Sequence, residues 1–311
     1  MAEKISTRQA YGDALVELGK INSDIIVMDA DLSKSTMTAG FKKEFPDRFF
    51  NAGIAEANLM GMAAGLALSG KTVFVSTFAM FAAGRAYEII RNSIGYPHLN
   101  VKICATHAGI TVGEDGASHQ CVEDLALMRV IPGMTVVHPA DAVSAKKLLG
   151  QAAALDGPVY VRLGRLNIPV IYDNDTDIEL GKGVCVRDGS DHTVVACGLM
   201  VNEALMAAEE LEKEGISLRV IDMHTIKPID KDIIIKAAEE TKSIITAEEH
   251  SVIGGLGSAV AEVAAANSPA KITMVGVQDR FGQSGKPTEL MKEYNITAED
   301  IIRAVKAVDN A

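Results

Sequence analysis

EANLMGMAAGLALSGKTVFV, residues 56–75, joins a segment of small and apolar residues to a short apolar run. Its spacing predicts a closely packed helix over 56–69, and the run 72–75 predicts a buried strand. The same alternation continues on both sides of this stretch. The other predicted elements of this series are helix 8–21, strand 25–28, helix 81–94, strand 101–105, helix 121–130, strand 134–137, helix 141–154 and strand 158–161. Short apolar strands joined by helical crossovers form parallel sheets, so the sequence predicts an α/β fold with helices on both faces of a mainly parallel sheet.

A second series of the same kind follows a break in the pattern. Residues 164–191 are rich in Asp, Gly and Asn and carry few helix signals. The elements predicted after the break are strand 193–197, helix 201–214, strand 217–221, helix 230–240, strand 243–247, helix 256–266 and strand 272–276. We therefore predict two α/β domains, over residues 1–170 and 191–311, joined by a linker at 171–190.

Composition excludes several classes of protein. The 311 residues carry 30 Lys and Arg against 41 Asp and Glu, a formal charge of −11. Surfaces that bind nucleic acid or anionic membranes are basic, so neither partner is expected. No apolar run reaches the roughly 18 residues of a membrane span, and the N-terminus lacks the apolar core of a signal peptide. The four cysteines form no CxxC pair, and we predict a cytoplasmic protein with reduced thiols.

Three segments carry residues suited to chemistry. In the first, Glu56 begins a helix and is followed by almost nothing but small and apolar residues. A carboxylate at this position can simply stabilise a helix N-terminus. Alternatively, a carboxyl surrounded by Ile54, Leu59 and Met60 can remain protonated and act as a donor.

The second and third segments are STFAMFAAGRAY, residues 76–87, and THAGITVGEDGASHQ, residues 106–120. Phe78 and Phe81 are three residues apart, which predicts one helical face and, by default, a place in the core. The third segment follows a predicted strand, where parallel sheets carry their ligand-binding loops. Its two histidines are too widely spaced for a structural zinc site, so no metal ligand is predicted in this chain.

Together these segments resemble the transketolase family of thiamine-diphosphate enzymes. The resemblance implies that Glu56 activates the cofactor by donating a proton to its aminopyrimidine ring. It implies that Phe78 and Phe81 pack on that ring. It also implies that Asp115 and His119, in GEDGASHQ, are the pair that contacts the ketose near its reacting carbons. His119 would then stabilise the charge that develops on the substrate oxygen. The two domains would then be the pyrimidine-binding domain and the transketolase C-terminal domain.

A further set of matching positions concerns phosphate. Family members hold the distal phosphate of sugar phosphates, and the resemblance assigns this role to Arg8 in STRQAYGDAL, Ser35 in DADLSKS, His107 in ATHAG and Arg165 in RLGRLNIP. The simpler interpretation of either arginine is a solvated surface charge. Because the four residues are scattered in sequence and all match, we favour the phosphate site.

The family pattern is only partly present. One-chain transketolases hold the diphosphate through a divalent cation and a Gly-Asp-Gly motif that this sequence lacks. The resemblance therefore implies a separate N-terminal transketolase subunit, an α2β2 assembly, and Mg²⁺ or another divalent cation held by that partner. Gly254-Gly-Leu-Gly-Ser258 opens a predicted helix and is either an anion site or, as we favour, a tight loop.

The implied activity is transfer of a two-carbon ketol unit from a ketose phosphate to an aldose phosphate. Residues Ala57 and Asn58 depart from one-chain transketolases, which usually have a His there. The alternatives are an enzyme that resembles 1-deoxyxylulose-5-phosphate synthase, the β subunit of a 2-oxoacid dehydrogenase E1, and a non-catalytic partner protein.

Overall fold

The computed structural model describes residues 3–309. Its strands are β1 (Lys4–Ile5), β2 (Ile25–Asp29), β3 (Phe49–Asn51), β4 (Thr72–Phe78), β5 (Val101–Thr106), β6 (Thr135–Val137), β7 (Val159–Arg162), β8 (Ile168–Pro169), β9 (Val184–Arg187), β10 (His192–Ala196), β11 (Leu218–Asp222), β12 (Thr225–Lys227), β13 (Ile244–Ser251) and β14 (Ile272–Val277). Its α-helices are α1 (Thr7–Ile21), α2 (Ser33–Thr36), α3 (Ala39–Glu44), α4 (Glu56–Leu68), α5 (Tyr87–Ile89), α6 (Asp124–Arg129), α7 (Ala142–Ala154), α8 (Met200–Lys213), α9 (Lys231–Glu240), α10 (Leu256–Asn267), α11 (Pro287–Glu293) and α12 (Ala298–Asp309).

The larger sheet has seven strands in the order β12-β6-β7-β5-β4-β2-β3. Every neighbouring pair is parallel except β12 and β6. All residues of β2 and β4 are buried, as expected for strands covered on both faces. Tyr11 of α1 packs in one core cluster with Phe74, while Leu59 of α4 packs in another with Val75. The predicted α/β architecture with helices on both faces is confirmed.

The second sheet has five strands in the order β14-β13-β10-β11-β9. It is parallel except for the edge strand β9, which runs antiparallel to β11. Cys185 lies on this edge and is exposed, whereas Cys104, Cys121 and Cys197 are buried free thiols.

Within residues 3–309, no helix has both the length and the apolar character needed to cross a membrane.

Two features differ from the predicted elements. The continuous helix predicted over 81–94 is wrong, because π-helical turns at Phe81–Arg85 and Ile90–Gly95 flank the short α5. The wider turn changes which side chains face the sheet, and such turns often occur at functional sites. The other feature is β12, whose residues follow β11 of the second sheet yet pair with β6 of the first. This strand links the two sheets directly.

Candidate functional site

The predicted site residues follow the carboxyl ends of adjacent parallel strands. Strands β3, β2, β4 and β5 are neighbours, and Phe78 at the end of β4 is in register with Thr106 at the end of β5. Ser35 follows β2, and Glu56 follows β3. The end of a parallel sheet is where such folds bind ligands, and the topology brings segments distant in sequence to this edge.

A stack of aromatic and imidazole rings lies at the centre of the edge. The Phe78 ring stacks on the His107 ring with centroids 3.9 Å apart, and on the Phe81 ring at 5.9 Å. His119 meets Phe81 edge-on at 5.3 Å. The prediction that the two phenylalanines share a helical face is wrong. Phe78 ends a strand and Phe81 begins a π-helical turn, so the rings meet where the strand passes into the helical segment.

The Glu56 carboxylate is only 2 % exposed, at the first turn of α4. Nη1 of Arg85 donates to its Oε2 at 2.8 Å, and the same guanidinium lies 4.8 Å from the centroid of the Phe81 ring. Arg85 therefore links the buried carboxylate to the ring stack. The expectation that Ile54 surrounds Glu56 is wrong, because Ile54 is 79 % exposed; Leu59 and Met60 are buried as expected.

The phosphate candidates converge on the other side of Phe78. Nη1 of Arg8 donates to the Ser35 carbonyl at 2.8 Å and to Nε2 of His107 at 3.2 Å. An arginine can only donate, so Nε2 accepts, and Nδ1 of His107 donates to the Thr106 hydroxyl at 2.9 Å. Ser35 thus contributes its carbonyl to this contact.

Charge at this position is concentrated and positive. Burial first, and then the nearby Arg8 and Arg165, lowers the pKa of His107 to about 3. Burial and the charge of Arg165 also lower the pKa of Arg8, whose Nε is buried without a hydrogen-bond partner among the described residues. Arg165 donates to the Val112 carbonyl and lies 3.6 Å from a Glu114 carboxylate oxygen. Two guanidinium groups beside a neutral imidazole make a site suited to an anion.

Most of the predicted site residues lie together in the structure, but some are joined by direct contacts and others only indirectly. Arg8, Ser35, His107, Phe78, Phe81 and His119 form one connected group, and Glu56 joins it only through Arg85. Asp115 is exposed on the loop that carries His119. Sequence reasoning missed Arg85 and Thr106. A signal for Arg85 existed, since a cation four residues after Phe81 lies close to it on a helical turn.

The N-terminus of α10, considered above as an anion site, is occupied by a carboxylate of the chain itself. Oxygens of the buried Glu248 accept hydrogen bonds from the backbone N–H groups of Leu256 and Gly257, both at 2.7 Å. The favoured interpretation as a tight loop agrees with this contact. Over residues 3–309, no group of three or more His, Cys, Asp and Glu side chains could hold a metal ion.

Comparison with known proteins identifies the family of the chain. The family description "Transketolase, pyrimidine binding domain" matches residues 3–170, and "Transketolase, C-terminal domain" matches residues 181–301. The chain belongs to the transketolase family. Family members use thiamine diphosphate and a divalent cation, and the site described above lies in the part that matches the pyrimidine-binding domain.

Three relatives are informative. A putative transketolase C-terminal section of Methanocaldococcus jannaschii is 54 % identical over 301 residues, which cover 96 % of this chain and 94 % of that protein. A 6-deoxy-6-sulfo-D-fructose transketolase subunit of a Clostridium species is 41 % identical over 301 residues, covering 97 % and 94 %. A solved structure described as a split gene transketolase, inactive beta4 tetramer, superposes with a TM-score of 0.90 at 55 % identity, covering 98 % of both chains. This chain thus corresponds to the C-terminal section of a split transketolase.

Proposed function

We propose that this chain supplies the pyrimidine-binding half of a thiamine-diphosphate transketolase site. The assembled enzyme would move a two-carbon ketol unit from a ketose phosphate to an aldose phosphate. One observation carries the proposal. The Phe78 ring lies between the cationic group of Arg8 and His107 and the Phe81 ring, which reaches Glu56 through Arg85. A cofactor surface and an anion site are therefore contiguous.

The residues present fit the aminopyrimidine end of the cofactor. Glu56 offers a buried carboxyl that Arg85 links to the partly exposed ring of Phe81, so one polar and one flat apolar group are available in the same site. When bound, thiamine diphosphate supplies the electron sink for breaking and making the carbon–carbon bond. In that state Glu56 would hold a proton at a ring nitrogen in place of its ion pair with Arg85, and Phe78 and Phe81 would exclude water from one face.

The sugar-binding roles follow from position. His119 lies edge-on to Phe81, where its imidazole can stabilise charge on the substrate oxygen. Asp115, on the same loop, is exposed and can accept hydrogen bonds from sugar hydroxyls. Arg8 and Arg165 would supply the charged donors for the distal phosphate, with the Ser35 side chain beside them and His107 holding the Arg8 guanidinium through its Nε2. A dianion there would relieve the repulsion between the two guanidinium groups, which favours sugar phosphates over uncharged sugars.

The partner is an N-terminal subunit that binds the diphosphate and its divalent cation. Helix α4 supports this, since it is apolar yet half uncovered: Met62 and Leu68 are 40 % and 73 % exposed. Within residues 3–309, no atom beyond the nearby backbone of the helix and the adjoining residues lies within 4 Å of a Cβ placed at Gly61 or Gly65. Exposed apolar surface of this kind marks a protein interface. We expect an α2β2 assembly in the cytoplasm, with the cofactor sites between the two kinds of subunit.

The experiment is a reconstitution with the diphosphate-binding subunit of a split transketolase, thiamine diphosphate and Mg²⁺. The complex is assayed for ketol transfer between a ketose phosphate and ribose 5-phosphate, and separately for decarboxylation of a 2-oxoacid. We expect transfer by the complex, and neither transfer nor tight cofactor binding by this chain alone. Robust transfer by the chain alone would contradict the division of the site. A complex that decarboxylates a 2-oxoacid and ignores sugar phosphates would overturn the assigned reaction.

A further inference from the structure

We propose that the second domain positions the loop that binds the sugar, and that Gln120 is the positioning residue through which it does so. The site loop is defined here as residues 107–121, which carry His107, Asp115 and His119. The inference rests on the proposed function only in assigning these residues to the sugar. The contacts that hold the loop are independent of that assignment.

Gln120 joins the two domains through its side-chain amide. It is 2 % exposed, and its Nε2 lies 3.1 Å from the carbonyls of Ile110 and Gly113 and 2.9 Å from that of Gln283. Its two N–H groups are shared among these three acceptors. The first two acceptors lie in the site loop and the third lies beyond β14, in the second domain. One amide thus closes the loop on itself and fixes it to the other domain.

The segment after β14 covers the loop at close range. We call residues 278–286 the covering segment. The Ser284 hydroxyl donates to the Glu114 carbonyl at 2.7 Å. A Cβ at Gly282 would lie 1.9 Å from Oε1 of Gln120, far inside a van der Waals contact. Only a glycine fits there while Gln120 keeps its position.

Strand β13 holds the beginning of the same loop. Oε1 of Glu249 accepts from the backbone N–H of Thr111 at 2.5 Å. Gly109 adopts a φ of +83°, and a Cβ at this position would lie 2.3 Å from the Glu249 carboxyl carbon. Arg162 donates to the carbonyls of both Cys121 and Glu249, at 3.1 and 3.0 Å. The second domain therefore fixes the start, the middle and the end of the site loop.

The site loop contains three glycines at positive φ: Gly109, Gly113 and Gly116. Because glycine loses more backbone freedom on folding than any other residue, fixing this loop in one conformation carries a large entropic cost. Hydrogen bonds from the second domain therefore hold the loop in one conformation. The second domain thereby acts on substrate binding without touching the substrate.

The test changes Gln120 from both sides. Gln120→Met keeps the length of the side chain and removes its donors. Gly282→Ala places a methyl group against Gln120, so it disturbs the same contact without changing any residue of the first domain. Asp279→Ala, an exposed change in the covering segment, is the matched control. Amide hydrogen exchange is measured on the full chain, and the KM for ribose 5-phosphate and the C2-proton exchange of thiamine diphosphate are measured on the reconstituted complex.

We expect both variants to exchange amides 107–121 about tenfold or more faster, as for loss of one to two hydrogen bonds, while β4 and the control stay at the parental rate. The KM for ribose 5-phosphate rises and C2-proton exchange is unchanged. Parental exchange in the site loop would overturn the inference, as would faster exchange throughout the chain. Local loosening with parental KM and kcat would overturn the functional part. A parent complex without ketol transfer would instead refute the proposed function, and the exchange data would still decide the positioning role.

Discussion

Replacing Arg8 or Arg165 with alanine tests whether the cationic group binds a remote phosphate. Arg8 is partly buried and has an unpartnered Nε, so it has donor capacity for a ligand. The Arg165 side chain is 39 % exposed and lies near Glu114, so a ligand must compete with that carboxylate and with water.

The expected magnitudes follow from these environments. A hydrogen bond to a charged group contributes about 1.5–3 kcal/mol, which corresponds to roughly 10- to 150-fold in affinity. We expect Arg8→Ala to raise the KM for ribose 5-phosphate by about 100-fold, near the upper end of that range. Arg165→Ala should raise it by about 10-fold, the lower end. Neither variant should change KM much for ribose, which has no phosphate.

The assay is a matched KM series with ribose 5-phosphate and ribose in the reconstituted complex. Lys34→Ala, which removes an exposed cation next to Ser35, controls for the general loss of positive charge. Equal losses for both sugars would mean that the arginines are structural. A loss in Lys34→Ala as large as in Arg165→Ala would mean that long-range attraction, and not a phosphate site, explains the effect.

Two further predictions concern ionisable groups of the site in the isolated chain. Arg85→Ala leaves the buried Glu56 carboxylate without its cation. It should lower the free energy of unfolding of the isolated chain, measured by urea denaturation, by about 1–3 kcal/mol. An unchanged denaturation midpoint would show that the ion pair does not contribute to stability. His107 has its pKa lowered from 6.5 to about 3, so the unfolded chain binds this proton more readily and the stabilisation present above pH 6.5 is lost as the pH falls. Between pH 7 and pH 5 the parent should therefore lose about 2 kcal/mol more stability than His107→Asn, and equal losses in the two proteins would contradict the assigned burial.

Much of this architecture is predictable because it depends on local patterns. Runs such as 25–28 and 72–75 are short, mainly apolar and flanked by helical segments, so their burial and parallel pairing follow from periodicity. The family motifs, in turn, mark the ends of these strands. The site residues cluster because the carboxyl ends of parallel strands meet at one edge.

The features that were not predicted depend on contacts between distant residues. Strand β12 has three residues and joins the first sheet by antiparallel pairing. A strand this short has no periodicity from which the pairing could be predicted. The π-helical turn at Phe81–Arg85 contacts α4 and α6, which come from distant parts of the sequence. The contacts of Gln120 join positions 163 residues apart. Sequence patterns identify such residues as polar, but only the folded chain gives them partners.

The C2-proton exchange of thiamine diphosphate in the reconstituted complex is the sharpest test of the role proposed for Glu56, because it reports on the activating carboxyl without any sugar. Glu56→Gln keeps the shape of the side chain and removes its acid group, and Glu88→Gln, an exposed carboxyl on α5, is the control. We expect Glu56→Gln to retain cofactor binding and to slow exchange by at least ~10²-fold, the usual scale for a positioned acid–base group, while Glu88→Gln exchanges at the parental rate. Parental exchange in Glu56→Gln would contradict the claim that this chain supplies the activating half of the site.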